Sequence, residues 1–447
     1  MVTPVETIEA GLATVMRRAG SPGAIAGLAR LSGGANMESW AFSCGEEEFV
    51  LRRAPSAEMM AGRPMSHAAE AAVIRAARAA GVVAPEVVAE LEPGDGLGSG
   101  FIMRRIAGTA DPKVVLGEGG SAMLADIAAS LAAVHRVEPR AAGAIPALDA
   151  AGGVEGLAAQ FESFGGDRPI IALGLAWLRA NLPPPIAPRL VHGDLRIGNV
   201  MAEHGRLTGV LDWEVAHLGD FHEDLAFGCL TVWRFGQLDK PGFGLGTLEE
   251  LFAAYEAAGG APVDPARFRF WLIYRTVWWA LGCLGMGGLW RSHADRSLER
   301  VVVARRTSEQ ELDLLVLLEE DAPQAERDAP LPPPPAPAPP PHGEPDAAEV
   351  LTAVSEWLGS VKERFSGRDR FDLAVARNAL GIVVRELATR PCPEDRPLAT
   401  DILAGRQSLA TPGLLARLRR GALDKLAADV PKYAALAPAR AKWEGPR

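Results

Sequence analysis

Three oxygen-bearing side chains stand close together along this chain: Asp194 and Asn199 in LVHGDLRIGNVM (190–201), and Asp212 in the LDWE that begins at Leu211. An Asp that takes the proton of a hydroxyl, an Asn five residues on that reaches a magnesium ion, and an Asp at the next strand end that holds magnesium between nucleotide phosphates would together make a phosphoryl-transfer site. Such chemistry works through position and charge. It needs hard oxygen ligands and a carboxylate facing the nucleophile, and no activated side-chain nucleophile. A single Asp in a turn is ordinarily a turn or capping residue; the set is what carries the inference.

These residues need elements to hold them. Leu190 and Val191 run into the polar turn, and Val200 and Met201 leave it, so the turn is a loop between buried strands, where function is often placed. Upstream, residues 26–53 contain two strand-like runs joined across Cys44-Gly45-Glu46. A helix is expected at about 66–80, followed by strand-like EVVAEL and GFIMRRI, and from about 119 onward the pattern is mainly helical. Val5, Ile8, Leu12 and Val15 recur with helical spacing, and the acidic Glu6 and Glu9 among them argue against a signal peptide. The pattern predicts an α+β chain, with a small sheet-rich lobe followed by a larger helical one.

The 447 residues are 48% hydrophobic and carry a formal charge of −10, which fits a globular protein of two or three domains and argues against a broad basic nucleic-acid face. Cys44, Cys229, Cys283 and Cys392 form no CxxC pair, so neither a zinc site nor a disulfide framework is expected, and a cytoplasmic, reducing setting is the simplest reading. The aromatic stretch 268–290 approaches the length of a membrane span. Arg269 and Arg275 interrupt it, and a buried helix is expected instead. Ten prolines between Pro330 and Pro345 mark an extended spacer. Beyond it, Leu351, Val354, Leu358, Val361 and Phe365 form an apolar helical stripe that must pack on something. Further helical patterns run through 371–387 and 414–426. Residues 346–447 carry 17 basic and 13 acidic side chains, opposite in sign to the rest of the chain.

HGDLRIGN followed by VLDWEVAHLGDFHEDLA resembles the kinase-like aminoglycoside phosphotransferase superfamily. The Arg after HGD-Leu and the LDWE-x-A-x-LGD run look most like the kinase-like region of certain acyl-CoA dehydrogenases and their free-standing bacterial relatives. The resemblance covers residues 5–320. It implies a bilobal protein-kinase-like fold: a nucleotide-binding N-lobe (1–106), a catalytic and substrate-binding C-lobe (107–322), a proline-rich linker (323–345) and an all-α accessory domain (346–447). The last part is similar to a small bacterial domain of unknown function, through ELATRP after VARNALGIVV. Its arginines Arg377, Arg385, Arg417, Arg419 and Arg420 could meet CoA phosphates, or the domain could make a homodimer.

By the same resemblance Asp194 is the catalytic base, His192 braces its loop, and Asn199 and Asp212 are magnesium ligands. Arg196 is either a contact to phosphate or an anionic substrate, or a tie from the loop to Glu214. Glu214 is a further candidate magnesium contact, while Asp220 and Asp224 are structural. Gly33 and Gly34 would let backbone N–H groups approach phosphates. Arg52 takes the place of the usual lysine, and strand alternation lets only one of Arg52 and Arg53 point inward; Glu70 would be the ion-pair partner of Arg52. Met103, Arg104 and Ile106 would line and hydrogen-bond the adenine, and His135 would cap a helix. The implied activity is ATP- and magnesium-dependent phosphorylation of a small-molecule hydroxyl, with the 4-hydroxyl of a hydroxyacyl-CoA favoured over an aminoglycoside, sugar or amino alcohol. No nucleic-acid or membrane partner is implied. The alternative of another class, a silent nucleotide-binding scaffold, is disfavoured by the retained Asp194, Asn199 and Asp212. A protein kinase is disfavoured by the missing activation segment.

Overall fold

The computed structural model describes residues 5–31, 37–60, 62–334, 343–389, 391 and 393–445. The chain divides into two compact units, residues 1–149 with 185–268, and residues 150–184 with 269–447.

The first unit opens with the helix Val5–Arg18, whose Ile8, Leu12, Val15 and Met16 are fully buried. Their spacing of three and four residues makes one stripe, which packs into a core with Trp40, Phe42, Phe49, Leu51 and Ile102 of the sheet. That sheet is antiparallel, with β1 (Ile25–Arg30), β2 (Glu38–Cys44), β3 (Glu47–Ala54), β4 (Val87–Glu90) and β5 (Ser99–Arg104) in the order β1-β2-β3-β5-β4. The β2–β3 hairpin closes at Cys44 opposite Glu47, around Gly45 at φ +64°. The sequence pattern showed two strands where the structure has three. The short β1 hides its alternation, because Gly27 sits at φ +64° within it and the register against β2 shifts between Ala26 and Ala29.

Along β3, Phe49, Leu51 and Arg53 face the core while Val50 and Arg52 face the other way, as the pleat requires. Alternation did not, however, leave Arg53 in water. It is 1% exposed on the helix-covered face, donating from Nε to Glu38 Oε2 at 2.9 Å and from Nη1 to the Leu97 carbonyl at 3.2 Å. Both faces of the strand are covered, so Arg53 is buried and Arg52 largely so, and each guanidinium meets carboxylates on its own face.

Downstream, the helix Ser121–His135 is apolar on nearly every side and correspondingly buried. Two short ribbons follow: β6 (Arg189–Val191) pairs with β9 (His217–Gly219), and β7 (Val200–Glu203) pairs with β8 (Arg206–Val210). The loop 192–199 leaves β6 and enters β7, while the turn 211–216 leaves β8 and enters β9. Val191 lies opposite His217 and Val200 opposite Val210. The two loops, separated in the chain only by the β7–β8 ribbon, are therefore fixed side by side.

The second unit is helical. The helix Pro265–Arg291 buries Trp271, Ile273, Val277, Leu281 and Cys283, and Arg275 is 3% exposed within it. Among the described residues no single helix is long and apolar enough to cross a membrane; one pair, Pro112–Glu118 and Ser121–His135, passes on length and composition only when its 112° bend is ignored. The compact units are cut differently from the boundaries drawn on the sequence. The C-terminal helices Gly367–Thr389, Arg396–Leu403, Leu414–Asp429 and Leu436–Glu444 share their unit with 150–184 and 269–334.

The physical reason lies in the helix Thr307–Leu318, whose polar residues Glu309, Gln310, Glu311 and Asp313 are all buried. Lys425 lies 3.1 Å from Glu311, and the Tyr433 hydroxyl donates to Asp313 at 2.6 Å. Just past that helix, Glu319 accepts from Arg419, Lys442 and, at 2.9 Å, the Trp443 indole. Residues 335–342 of the expected proline-rich spacer lie outside the described residues, and its first part holds the short helix Gln324–Arg327; a run of prolines does not mark where packing ends. The helix Ala347–Ser360 keeps Leu351 and Leu358 half-buried, whereas Val354 of the expected stripe stays exposed.

Candidate active site

The loop 192–199 is held from beneath. His192 is fully buried, its Nε2 donating to the Leu211 carbonyl at 3.1 Å and its Nδ1 accepting the Asp194 N–H at 3.2 Å, while its ring lies 4.4 Å from that of Trp213. The Nε2–H tautomer satisfies both bonds. Gly193 sits at φ +81°, and a Cβ there would come within 2.7 Å of the Val215 carbonyl, so the position requires glycine.

Asp224 anchors the same turn. It accepts the His192 N–H at 2.7 Å, the Gly193 N–H at 2.8 Å and His135 Nε2 at 3.1 Å. Burial alone would push its carboxyl up, but the hydrogen bond and charge of His135, with the hydrogen bond from the Gly193 N–H, hold it down to about 2. His135 is not a helix cap: its Nδ1 lies 2.8 Å from the Tyr255 hydroxyl, and the ring bridges Tyr255 to Asp224. Asp220 braces another pair, 2.7 Å from both His222 Nδ1 and Arg267 Nη1.

Above this floor, Asp194 is one-fifth exposed and both its oxygens are oriented. Arg196 Nε donates to Oδ1 at 3.1 Å and Asn199 Nδ2 donates to Oδ2 at 2.7 Å. Asn199 Nδ2 also reaches the Asp194 carbonyl at 2.8 Å, so the Asn199 side-chain oxygen points away from Asp194. The Arg196 guanidinium lies 4.2 Å over the Trp233 ring. It does not tie the loop to Glu214, because two other arginines hold that residue.

Arg52 Nη2 lies 2.6 Å from Glu214 Oε2 and 3.0 Å from Asp212 Oδ1, and its Nε lies 3.1 Å from Glu70 Oε1. Arg63 Nη1 adds a 3.0 Å bond to Glu214. Three carboxylates thus share two guanidiniums. Burial first, and then the charges of Asp212 and Glu214, push the Glu70 carboxyl up to about 7 against the pull of Arg52. Burial also lowers the neighbouring His67 to about 4, helped by Arg52 and Arg63.

Asp212 adopts φ +66°, a left-handed conformation disfavoured for a side chain with a Cβ. The bond from Leu211 N–H to the Asn199 carbonyl, 2.8 Å, fixes it beside the loop 192–199. Such strain persists where the surroundings over-determine it, and it clusters at functional sites. A cavity of about 400 Å³ opens next to this cluster, lined by Val50, Met103, Ile106 and Leu211 together with Arg52, Glu70, Asn199 and Asp212.

Of the residues singled out in the sequence, Arg52, Glu70, Met103, Arg104, Ile106, Asn199 and Asp212 meet at this one cavity, with Asp194 adjoining through Asn199. Gly33 and Gly34 lie outside the described residues. Arg104 uses its guanidinium on Glu47 and Glu86 and its N–H on the Glu86 carbonyl. The sequence pattern gives no signal for Arg63 or Trp233, since Arg63 sits in irregular chain and Trp233 in a single turn of 3-10 helix, Thr231–Arg234, too short to show an apolar period.

Residues 27–271, more than half the chain, match the family described as phosphotransferase enzyme family (APH), and residues 363–433 match a domain of unknown function (DUF6285). The chain belongs to the phosphotransferase enzyme family. Among solved structures, this phosphotransferase resembles a candidate aminoglycoside phosphotransferase of Ralstonia eutropha JMP134, with TM-score 0.57 and 21% identity over 71% of this chain and 98% of that one. At that identity the likeness establishes the kinase-like fold. The Arabidopsis thaliana protein named "Probable acyl-CoA dehydrogenase IBR3" is 29% identical over 176 residues, 34% of this chain and 21% of that protein. The mouse protein named "Acyl-CoA dehydrogenase family member 10" is 34% identical over 99 residues, 20% of this chain and 9% of that protein. The phosphotransferase therefore spans a small part of the length of these relatives.

The cluster suits a magnesium nucleotide. Asp212 and the side-chain oxygen of Asn199 offer hard oxygens at one cavity, and magnesium commonly takes one or two protein oxygens and completes its shell with phosphates and water. Among the described residues no group of three or more His, Cys, Asp or Glu could hold a metal alone. Two guanidiniums face three carboxyl groups, one of them the raised Glu70, so the cluster has no surplus positive charge and a triphosphate could settle there only with added cations.

Proposed function

We propose that this phosphotransferase moves the terminal phosphoryl group of ATP, with magnesium, to the hydroxyl of a small molecule, and that the acceptor is the 4-hydroxyl of a hydroxyacyl-CoA. The observation that carries the reaction is Asp194 held in place by Arg196 and Asn199 beside the strained Asp212. In this reading the adenine enters the apolar part of the cavity between Val50, Met103 and Leu211, and meets the Arg104 carbonyl and the Ile106 N–H. Asn199 and Asp212 would hold magnesium, which would supply positive charge to the phosphate oxygens when bound.

Asp194 accepts the hydroxyl hydrogen and aims the oxygen at the terminal phosphorus. As the new O–P bond forms, the P–O bond to ADP breaks and the proton passes to the Asp194 carboxylate. Arg196, stacked on Trp233, keeps a donor fork beside Asp194 to meet charge on the transferring group. The partial likeness to acyl-CoA dehydrogenase relatives supports the acceptor.

Purified protein with Mg-ATP and a short 4-hydroxyacyl-CoA should yield a product one phosphoryl group heavier by mass spectrometry, and Asp194→Ala should yield none. An unchanged acyl-CoA, with transfer to a sugar, amino alcohol or aminoglycoside instead, would replace the acceptor and keep the reaction. Nucleotide binding with no transfer to any of these would favour the scaffold reading.

A further inference from the structure

We infer that the helix Ala347–Ser360 is the two-fold interface of a homodimer, pairing antiparallel with the same helix of a second copy. The helix is largely apolar, yet none of its residues is buried. It packs against the following helix, Gly367–Thr389, and its Leu351 and Leu358 are half-buried. A second stripe on its flank, Val350, Val354 and Trp357, is 51%, 42% and 63% exposed. Spacings of four and three residues put these three side chains on one line. Phe365 and Phe371, also exposed, continue the apolar surface at the turn end of the hairpin. A Trp so exposed on an apolar row marks an interaction surface, where single exposed hydrophobics do not.

The order of charges along the helix selects the occupant. Glu344 and Asp346 stand at its start, and Lys362 and Arg364 just past its end. Both pairs are equidistant from Val354. An antiparallel two-fold arrangement centred on Val354 therefore brings Asp346 opposite Lys362 and Glu344 opposite Arg364, and lays Trp357 against Val350 and Leu351 of the other copy. A parallel arrangement would set like charges on each other. This self-complementarity is what an isologous interface requires. From their exposures the five apolar residues offer roughly 500 Å² per copy, and a charged rim brings that close to the ~800 Å² per partner of an ordinary stable interface.

The test is sedimentation velocity on the full chain from about 1 to 200 µM, a range that brackets a micromolar dissociation constant. The expected result is a dimer for the wild type and a monomer for Trp357→Glu, with the dissociation constant raised about 100-fold or more and with the melting profile and phosphoryl transfer unchanged, because Trp357 is exposed and has no part in the candidate active site. Glu344→Lys or Arg364→Glu alone should weaken the dimer, and the two together should restore it. A wild type that stays monomeric, a Trp357→Glu dimer, or a double variant no better than its parents would each overturn the inference. Capture of a different protein on this face would not rescue it.

Discussion

Replacing Asp224 by Ala removes one buried carboxylate that three donors share: the His192 N–H at 2.7 Å, the Gly193 N–H at 2.8 Å and His135 Nε2 at 3.1 Å. The residue is fully buried, so water cannot take its place. Each buried donor left without an acceptor costs about 1–3 kcal/mol. The three losses are not additive, because the loop can relax once it is freed, and ~3–5 kcal/mol is the expected total, as for breaking a buried ion pair. Urea unfolding followed by tryptophan fluorescence measures this directly. Phosphoryl transfer under conditions where the variant is still folded should fall about 100-fold or more, since Gly193 and Asp194 lose their register and small misplacements in such sites are that costly.

The pH dependence gives an independent check. The folded carboxyl titrates at about 2, below its ordinary 3.8, so its stabilisation is fully present above pH 3.8 and is lost as the pH falls through about 2. That acid-side loss should be absent from Asp224→Ala. A variant within about 1 kcal/mol of wild type, the size of an unremarkable substitution, and with normal transfer would refute the claim that Asp224 holds the loop.

Glu70 shows the opposite sign: its folded value of about 7 exceeds the ordinary 4.5, so the folded state keeps the proton and stability declines as pH rises from 4.5 through 7. Glu70→Gln should flatten that decline in thermal melts across the same window, and an unchanged slope would mean that Glu70 is already ionised. Trp233→Leu should lower kcat about 10-fold and leave the KM for ATP within about two-fold, whereas Trp233→Phe keeps a π face under Arg196 and should retain most activity; equal losses in both would show that Trp233 acts only by filling space. Gly228→Ala should destabilise the first unit by about 1–3 kcal/mol in denaturant melts, because the new Cβ would lie 2.0 Å from Phe243 Cε1, and a neutral result would mean that the segment carrying Phe243 yields freely.

The chemistry was legible in one dimension because the loop 192–199 and the turn at Asp212 lie near each other in the chain, between strands whose apolar residues betray them. The helix Val5–Arg18 and the strands of the hairpin around Gly45 were equally plain, since periodicity is a local property. Tertiary contact decided everything that local pattern cannot encode. Arg63 reaches Glu214 across 151 residues and Trp233 meets Arg196 from a single turn of 3-10 helix; no spacing rule links such positions. Strand alternation gave the face of Arg53 but not its burial, because burial depends on the helix that covers that face. The proline run suggested a boundary, yet the polar face of Thr307–Leu318 and the nearby Glu319 are satisfied by Lys425, Tyr433, Arg419 and Lys442 from beyond it. A sequence shows where a chain cannot be regular, and only the partners of its buried charges show where a folded unit ends.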